Sequence, residues 1–231
     1  MDLYQTDPEF AERFEAFALE EVAQEAGRQL GETTRWTATL AALLGCQGVE
    51  AFRAALPRAL DAGVSAVAVK EIVYQAVDYL GLGRVLPFLT AANDVLLARG
   101  VELPLPGQAT TTAEDRLEKG AAAQAEIFGE RMKEAWKTST INCWLAANCF
   151  GDYYTRTGLD LRQREMITFC FLAAQGGCEP QLTAHACGNM NLGNDRDFLV
   201  AVVYQCLPYI GYPRSLNAIS CIDRAAEKTT G

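Results

Sequence analysis

Apolar residues recur along this chain at three- and four-residue spacing, while alternation with period two is almost absent. After Asp7-Pro8, which reads as an N-cap followed by a first-turn proline, Phe10, Phe14, Phe17 and Ala18 form one helical stripe. A second helix is predicted from about Thr34 to Leu44, stopping at Gly45, and a third ends at Gly63. Ser65 caps a fourth that turns Val69, Ile72, Val73, Ala76 and Tyr79 inward before Gly81, and Val85 to Arg99 follows. Val101 to Thr112 has two prolines, then polar residues, and no period, so it reads as a linker. Beyond it, Thr112 and Asp115 resemble a capping box opening a helix to about Trp136, and Ser139 to Phe150 forms another, ended by Gly151. Asp160 caps the helix carrying Glu165, which stops at Gly176-Gly177. The helix carrying His185 runs from about Cys178 to Leu192, Asn194 or Asp195 caps the next, and Gly211-Tyr212-Pro213 precedes the last. The pattern predicts an all-α fold.

The hydrophobic pattern also repeats itself. IVYQAVDYLGLGRVL, starting at Ile72, reappears as VVYQCLPYIGYPRSL, starting at Val202, an offset of 130 that also relates Gly63 to Gly193. Similarity at a fixed offset marks duplicated structure. The expected organisation is a first repeat over residues 1–100, a linker at 101–112 and a second repeat over 113–231. AVAVKEIVYQAV and FLVAVVYQCL are apolar on much of their circumference and need cover from several sides. The halves are therefore expected to pack face to face as a pseudo-dimer. The polar residues are not duplicated: the only histidine, His185, corresponds to Ala55, and Glu165 to Trp36 when Arg164 is laid on Arg35. A site is expected in the second half.

Composition narrows the function classes. The chain has 231 residues, 50% of them hydrophobic, and a formal charge of −9. That field repels phosphate backbones, so no nucleic-acid partner is expected. The N-terminus has no basic region before an apolar run, and the most apolar stretch, Phe198 to Cys206, is too short for a bilayer. A cytoplasmic protein with no membrane partner is expected. The eight cysteines sit mostly in apolar helical patterns, which reads as reduced, packed thiols.

The chemistry-bearing stretch is Arg164 to Asn194. Two helices joined at Gly176-Gly177 bring Glu165 and His185 into one groove, where a carboxylate can orient the ring and raise its basicity. Cys178 lies two helical turns before His185 and follows two glycines at a helix start, where the dipole lowers a thiol's pKa; Gln181 lies between them. Arg156 and Arg164 are candidates for binding a substrate carboxylate, or else form ordinary ion pairs. The cysteine and histidine spacings do not suggest a metal site, and no cofactor is expected.

These residues resemble the carboxymuconolactone decarboxylase family, which includes proteins of the alkyl hydroperoxidase D type. The family's glutamate is Glu165, and its cysteine-x-x-cysteine-x-x-x-histidine turn reads Cys178-Glu-Pro-Gln181-Leu-Thr-Ala-His185. Gly193, Tyr209, Gly211 and Pro213 continue the match. Gln181 stands where the hydroperoxidases have the cysteine that attacks peroxide, and Cys178 matches its resolving partner. The resemblance makes the chain look like a tandem, two-repeat member. One-repeat members form trimers of dimers, so it implies a homotrimer here.

Three functions follow. One is a cofactor-free decarboxylase or lyase in which His185, oriented by Glu165, moves a proton on a small lactone or oxo-acid. A second is a thiol-dependent peroxidase (peroxiredoxin activity) using Cys178, with Cys170 or Cys187 resolving. The third is a non-catalytic helical oligomer that binds a small molecule.

Overall fold

The computed structural model describes residues 3–229, and every regular element among them is helical. A short turn α1 (Leu3–Thr6) leads into α2 (Pro8–Glu15), a π-helical stretch (Ala16–Glu21) and α3 (Val22–Ala26). Then come α4 (Glu32–Gly45), α5 (Val49–Asp61), α6 (Ala66–Leu80) and α7 (Leu82–Ala98). After the linker come α8 (Arg116–Phe128), a 3-10 segment (Glu130–Thr138), α9 (Thr140–Trp144) and a second π-helical stretch (Leu145–Tyr154). Helices α10 (Leu161–Gln175), α11 (Glu179–Asn191), α12 (Arg196–Ile210) and α13 (Tyr212–Thr229) complete the chain.

Several boundaries follow directly from local chemistry. The Ser65 side chain accepts from the Ala68 amide, and Asp195 from the Phe198 amide. Asp160 and Gln163 form a reciprocal capping box that starts α10. Gly81, Gly176 and Gly211 end their helices at φ of 80°, 72° and 79°, a region glycine enters without steric cost.

Two expectations are corrected. The helix predicted to run from Thr112 to Trp136 begins at Arg116 and breaks at Gly129, whose φ is 95°. Gly151 does not end its helix; the π-helical stretch continues through it to Tyr154. Gly151 has another task. A Cβ there would overlap the Arg116 carbonyl, and one at Gly120 would overlap that of Ala146. The two glycines let α8 and the π-helical stretch approach to backbone contact, which fixes where Tyr154 lies.

One buried apolar cluster takes in Phe52, Ile72 and Phe88 from the first half and Phe169, Phe171, Val202 and Ile222 from the second. Helix α4 packs on α10 and α12, and α6 packs on α10. Gly45 permits the α4–α10 approach, because a Cβ there would sit 2.7 Å from that of Ala174. Two hydrogen bonds cross between the halves in matching register: Gln75 donates to Thr168 Oγ1 at 2.9 Å, and Gln205 donates to Thr39 Oγ1 at 3.1 Å. Gln75 and Gln205 are 130 residues apart in the sequence, and Thr39 and Thr168 are 129 apart. The linker lies along the second half, with Thr110 and Thr111 donating to the carbonyls of Thr155 and Gly151. No helix among the described residues is long and apolar enough to cross a membrane.

Candidate active site

Four helical segments converge on Glu165. The residue lies one turn into α10 and is completely buried. Its Oε2 is 2.8 Å from His185 Nδ1, on α11, and its Oε1 accepts the Tyr154 hydroxyl at 2.8 Å, from the π-helical stretch. A π-helical turn often marks a functional position; here it supplies a partner to the buried carboxylate.

Proton counting gives the network a direction. Tyr154 has one hydroxyl proton, and it is spent on Glu165. Its bonds to Tyr79 (2.8 Å) and Thr168 (2.7 Å) are therefore accepted by Tyr154 and donated by those hydroxyls. Behind them, Cys149 donates to Tyr79 at 3.7 Å and the Gln75 amide donates to Thr168. Tyr79 from α6 and Thr168 from α10 thus donate to Tyr154, which in turn donates to the Glu165 carboxylate. Burial raises Tyr79 and Tyr154 well above the usual phenol value, with the Glu165 charge adding to it, so both remain protonated donors.

The imidazole is fixed as firmly as the carboxylate. Tyr79 and Phe128 meet its ring edge-on, with centroids at 5.5 and 5.4 Å. Gly188, one turn after His185, leaves room for the carboxylate: a Cβ there would lie 2.7 Å from Glu165 Oε2. Asn189 donates to the main-chain carbonyls of both Glu165 and His185, tying α10 to α11 at this point. The His185 side chain keeps 12% of its exposure, whereas Glu165 keeps none. With Nδ1 facing the carboxylate, Nε2 is the nitrogen left without a partner among the described residues.

The other residues singled out from the sequence lie elsewhere. Arg164 takes the ion-pair alternative. It is fully buried, donating to Gln75 Oε1 at 2.8 Å and Glu71 Oε2 at 3.0 Å. Adjacent helix positions diverge by about 100°, so Arg164 faces the first half while Glu165 faces His185. Arg156 grips the same Glu71 through Nε and a terminal nitrogen. It lines a small cavity of about 70 Å³ with Lys70 and Tyr74, and makes no contact with His185. Gln181 is exposed on α11.

Cys178 is half-buried, its thiol directed at the Leu172 carbonyl at 3.5 Å, beside Gln175 and Cys221. It shares no contact with Glu165 or His185. The expectation of an acidic thiol is also corrected, because burial pushes Cys178 up despite its place at a helix start. All eight cysteines are free. Among the described residues no group of three or more histidine, cysteine or acidic side chains could hold a metal.

Tyr79, Tyr154, Phe128 and Gly188 were not identified as site residues from the sequence. In the sequence Tyr79 is a repeated, inward-facing helix position with no sign of a site role, and Tyr154 carries no site signal. Nothing in the sequence marked Phe128 or Gly188, whose roles depend on which helices meet.

No curated protein matches the chain. The sequence model of the carboxymuconolactone decarboxylase family matches residues 143–224. That span holds Tyr154, Glu165, Cys178 and His185, whereas Tyr79 and Phe128 come from outside it. Residues 143–224, with Glu165 and His185 on consecutive helices, are thus similar to the carboxymuconolactone decarboxylase family.

Proposed function

We propose that the chain is an acid–base enzyme of the decarboxylase or lyase type, acting on a small lactone or oxo-acid through His185. The observation that carries this reading is the Glu165 carboxylate, buried and shared between Tyr154 Oη and His185 Nδ1 at 2.8 Å each. A carboxylate in that position selects the tautomer with hydrogen on Nδ1 and leaves the Nε2 lone pair as the base. Nε2 takes the proton of the substrate's carboxyl O–H, leaving a carboxylate. The imidazolium so formed is stabilised by Glu165, whose own charge is held by the Tyr154 donor. When the bond to that carboxylate breaks and CO2 leaves, the bonding pair passes to an adjacent carbonyl as an enolate, and the imidazolium gives its proton to carbon. The proton is borrowed and returned, so the step balances.

Positioned acid–base groups contribute about 10²–10⁴-fold. His185→Ala and Glu165→Gln are expected to lower turnover by at least about 100-fold, with CO2 release measured on a panel of carboxylated lactones and oxo-acids. Full turnover in His185→Ala overturns the assignment.

The thiol peroxidase reading loses support on three points. Cys178 is separated from the Glu165–His185 pair, burial raises its pKa, and the resolver candidate Cys170 is fully buried, 4.0 Å from Cys206.

We further propose that the two halves are tandem repeats related by a pseudo-twofold axis, supported by the reciprocal Gln75–Thr168 and Gln205–Thr39 bonds. Self-association as a homotrimer remains part of this reading, supported by Ile141 and Trp144, exposed by 71% and 65% on one short helix. Light scattering is expected to give three times the 25.1 kDa chain mass, and a mass of one chain overturns it.

A further inference from the structure

Where the second half has its acid–base pair, the first half has a cavity. Trp36 stands at the position of Glu165, Ala55 at that of His185, and Tyr209 at that of Tyr79. All three line one cavity of about 440 Å³ between α2 and α5. Its origin is legible in the packing. In the second half α8 packs on both α11 and the π-helical stretch and brings Phe128 against His185. Among the described residues no helix stands to α5 as α8 stands to α11, so the equivalent seat is open.

We propose that this cavity is a second ligand site, taking an uncharged aromatic or alicyclic molecule of one or two rings with a hydroxyl or carbonyl group. The size falls in the 300–1,000 Å³ range of small-molecule sites. The walls are the indole of Trp36, the rings of Phe10 and Phe14, and alanines of α5. Phe14 meets the Tyr209 ring edge-on at 6.1 Å, and the Tyr209 hydroxyl has no hydrogen-bond partner among the described residues, which leaves it free for a ligand. The rim charges are already satisfied: Arg58 donates to Glu15 at 3.2 Å, and Glu15 also accepts from Tyr4 at 2.6 Å. No net charge is left to select an ionic ligand. The site therefore differs in chemistry from the one around His185, having lost the carboxylate and the imidazole and gained an indole wall. This inference stands whether or not His185 is catalytic.

The test is titration of the full-length protein with N-phenylnaphthylamine, a neutral two-ring fluorophore whose emission rises in apolar surroundings. Ala51 and Ala54 are exposed positions that line the cavity, so Ala51→Trp and Ala54→Trp fill it without disturbing the core. The expected result is saturable binding of one probe per chain, weakened at least tenfold in both variants with helical content unchanged, and unaffected in His185→Ala. Binding that does not saturate, that survives both alanine variants, or that vanishes in His185→Ala overturns the proposal. So does a fall in mass by light scattering in Ala54→Trp, which would assign the groove to a second copy of the chain.

Discussion

Tyr79 donates its hydroxyl proton to Tyr154 across 2.8 Å, joining α6 of the first half to the helix that holds Glu165 in place. The two hydroxyls are not equivalent. Tyr154 is the junction of the network, whereas Tyr79 is one of its branches. Tyr154→Phe leaves Glu165 Oε1, Tyr79 and Thr168 each short of a partner in a buried setting. Each such loss costs about 1–3 kcal/mol, while the net worth of one ordinary hydrogen bond is about 0.5–1.5 kcal/mol. Denaturant unfolding is expected to show Tyr154→Phe losing at least twice the stability lost by Tyr79→Phe, and equal losses would contradict Tyr154 as the junction of the network.

Glu71 sits between Arg156 and Arg164 with 1% of its side chain exposed. Burial lowers the pKa of the Arg164 guanidinium, and the hydrogen bond to Glu71 opposes that effect. Removing one member of a buried ion group costs about 3–5 kcal/mol because the remaining charge stays buried without compensation. Glu71→Ala is expected to lose that much in equilibrium unfolding. A loss below about 1 kcal/mol would show that water reaches Arg164.

Asp78 provides the clearest pH effect. Burial pushes its carboxyl up from 3.8 to about 7, with the charge of Asp152 adding to it. One carboxyl oxygen, Oδ2, is buried without a partner. Because the folded value lies above the unfolded one, the folded chain binds more protons between the two values. Stability is therefore greatest below pH 3.8 as far as this group is concerned and declines as pH rises towards about 7. Asp78→Asn is expected to raise the melting temperature at neutral pH and above, with the gain vanishing under acid conditions. A gain independent of pH would contradict the shift.

Much of the helix pattern was legible because its signals are local. Ser65, Asp160 with Gln163, and Asp195 announce helix starts through their own side chains, and the glycines at 81, 176 and 211 end helices by their own backbone freedom. His185 and Glu165 were legible because the spacing around them is itself a signal. Gly151 was misread because a glycine that admits a neighbouring helix looks, in one dimension, the same as one that ends its own. The choice between the two readings of Arg164 was not legible for a related reason: adjacency to Glu165 in the chain means divergence on a helix, and its partner Glu71 lies 93 residues away. Tyr154 and Gly188 acquire their roles only where α8, α10, α11 and the π-helical stretch meet, and no local pattern encodes that meeting.

The proposed proton transfer depends on which nitrogen of His185 carries the proton. The chain has one histidine, so nitrogen-15 NMR of labelled imidazole reads that residue alone. At a pH where the ring is neutral, the wild type is predicted to show hydrogen on Nδ1 and a bare Nε2, and Glu165→Gln is predicted to weaken that preference. Hydrogen on Nε2 in the wild type, or a tautomer unchanged by Glu165→Gln, would contradict Glu165 as the group that prepares His185 for proton transfer.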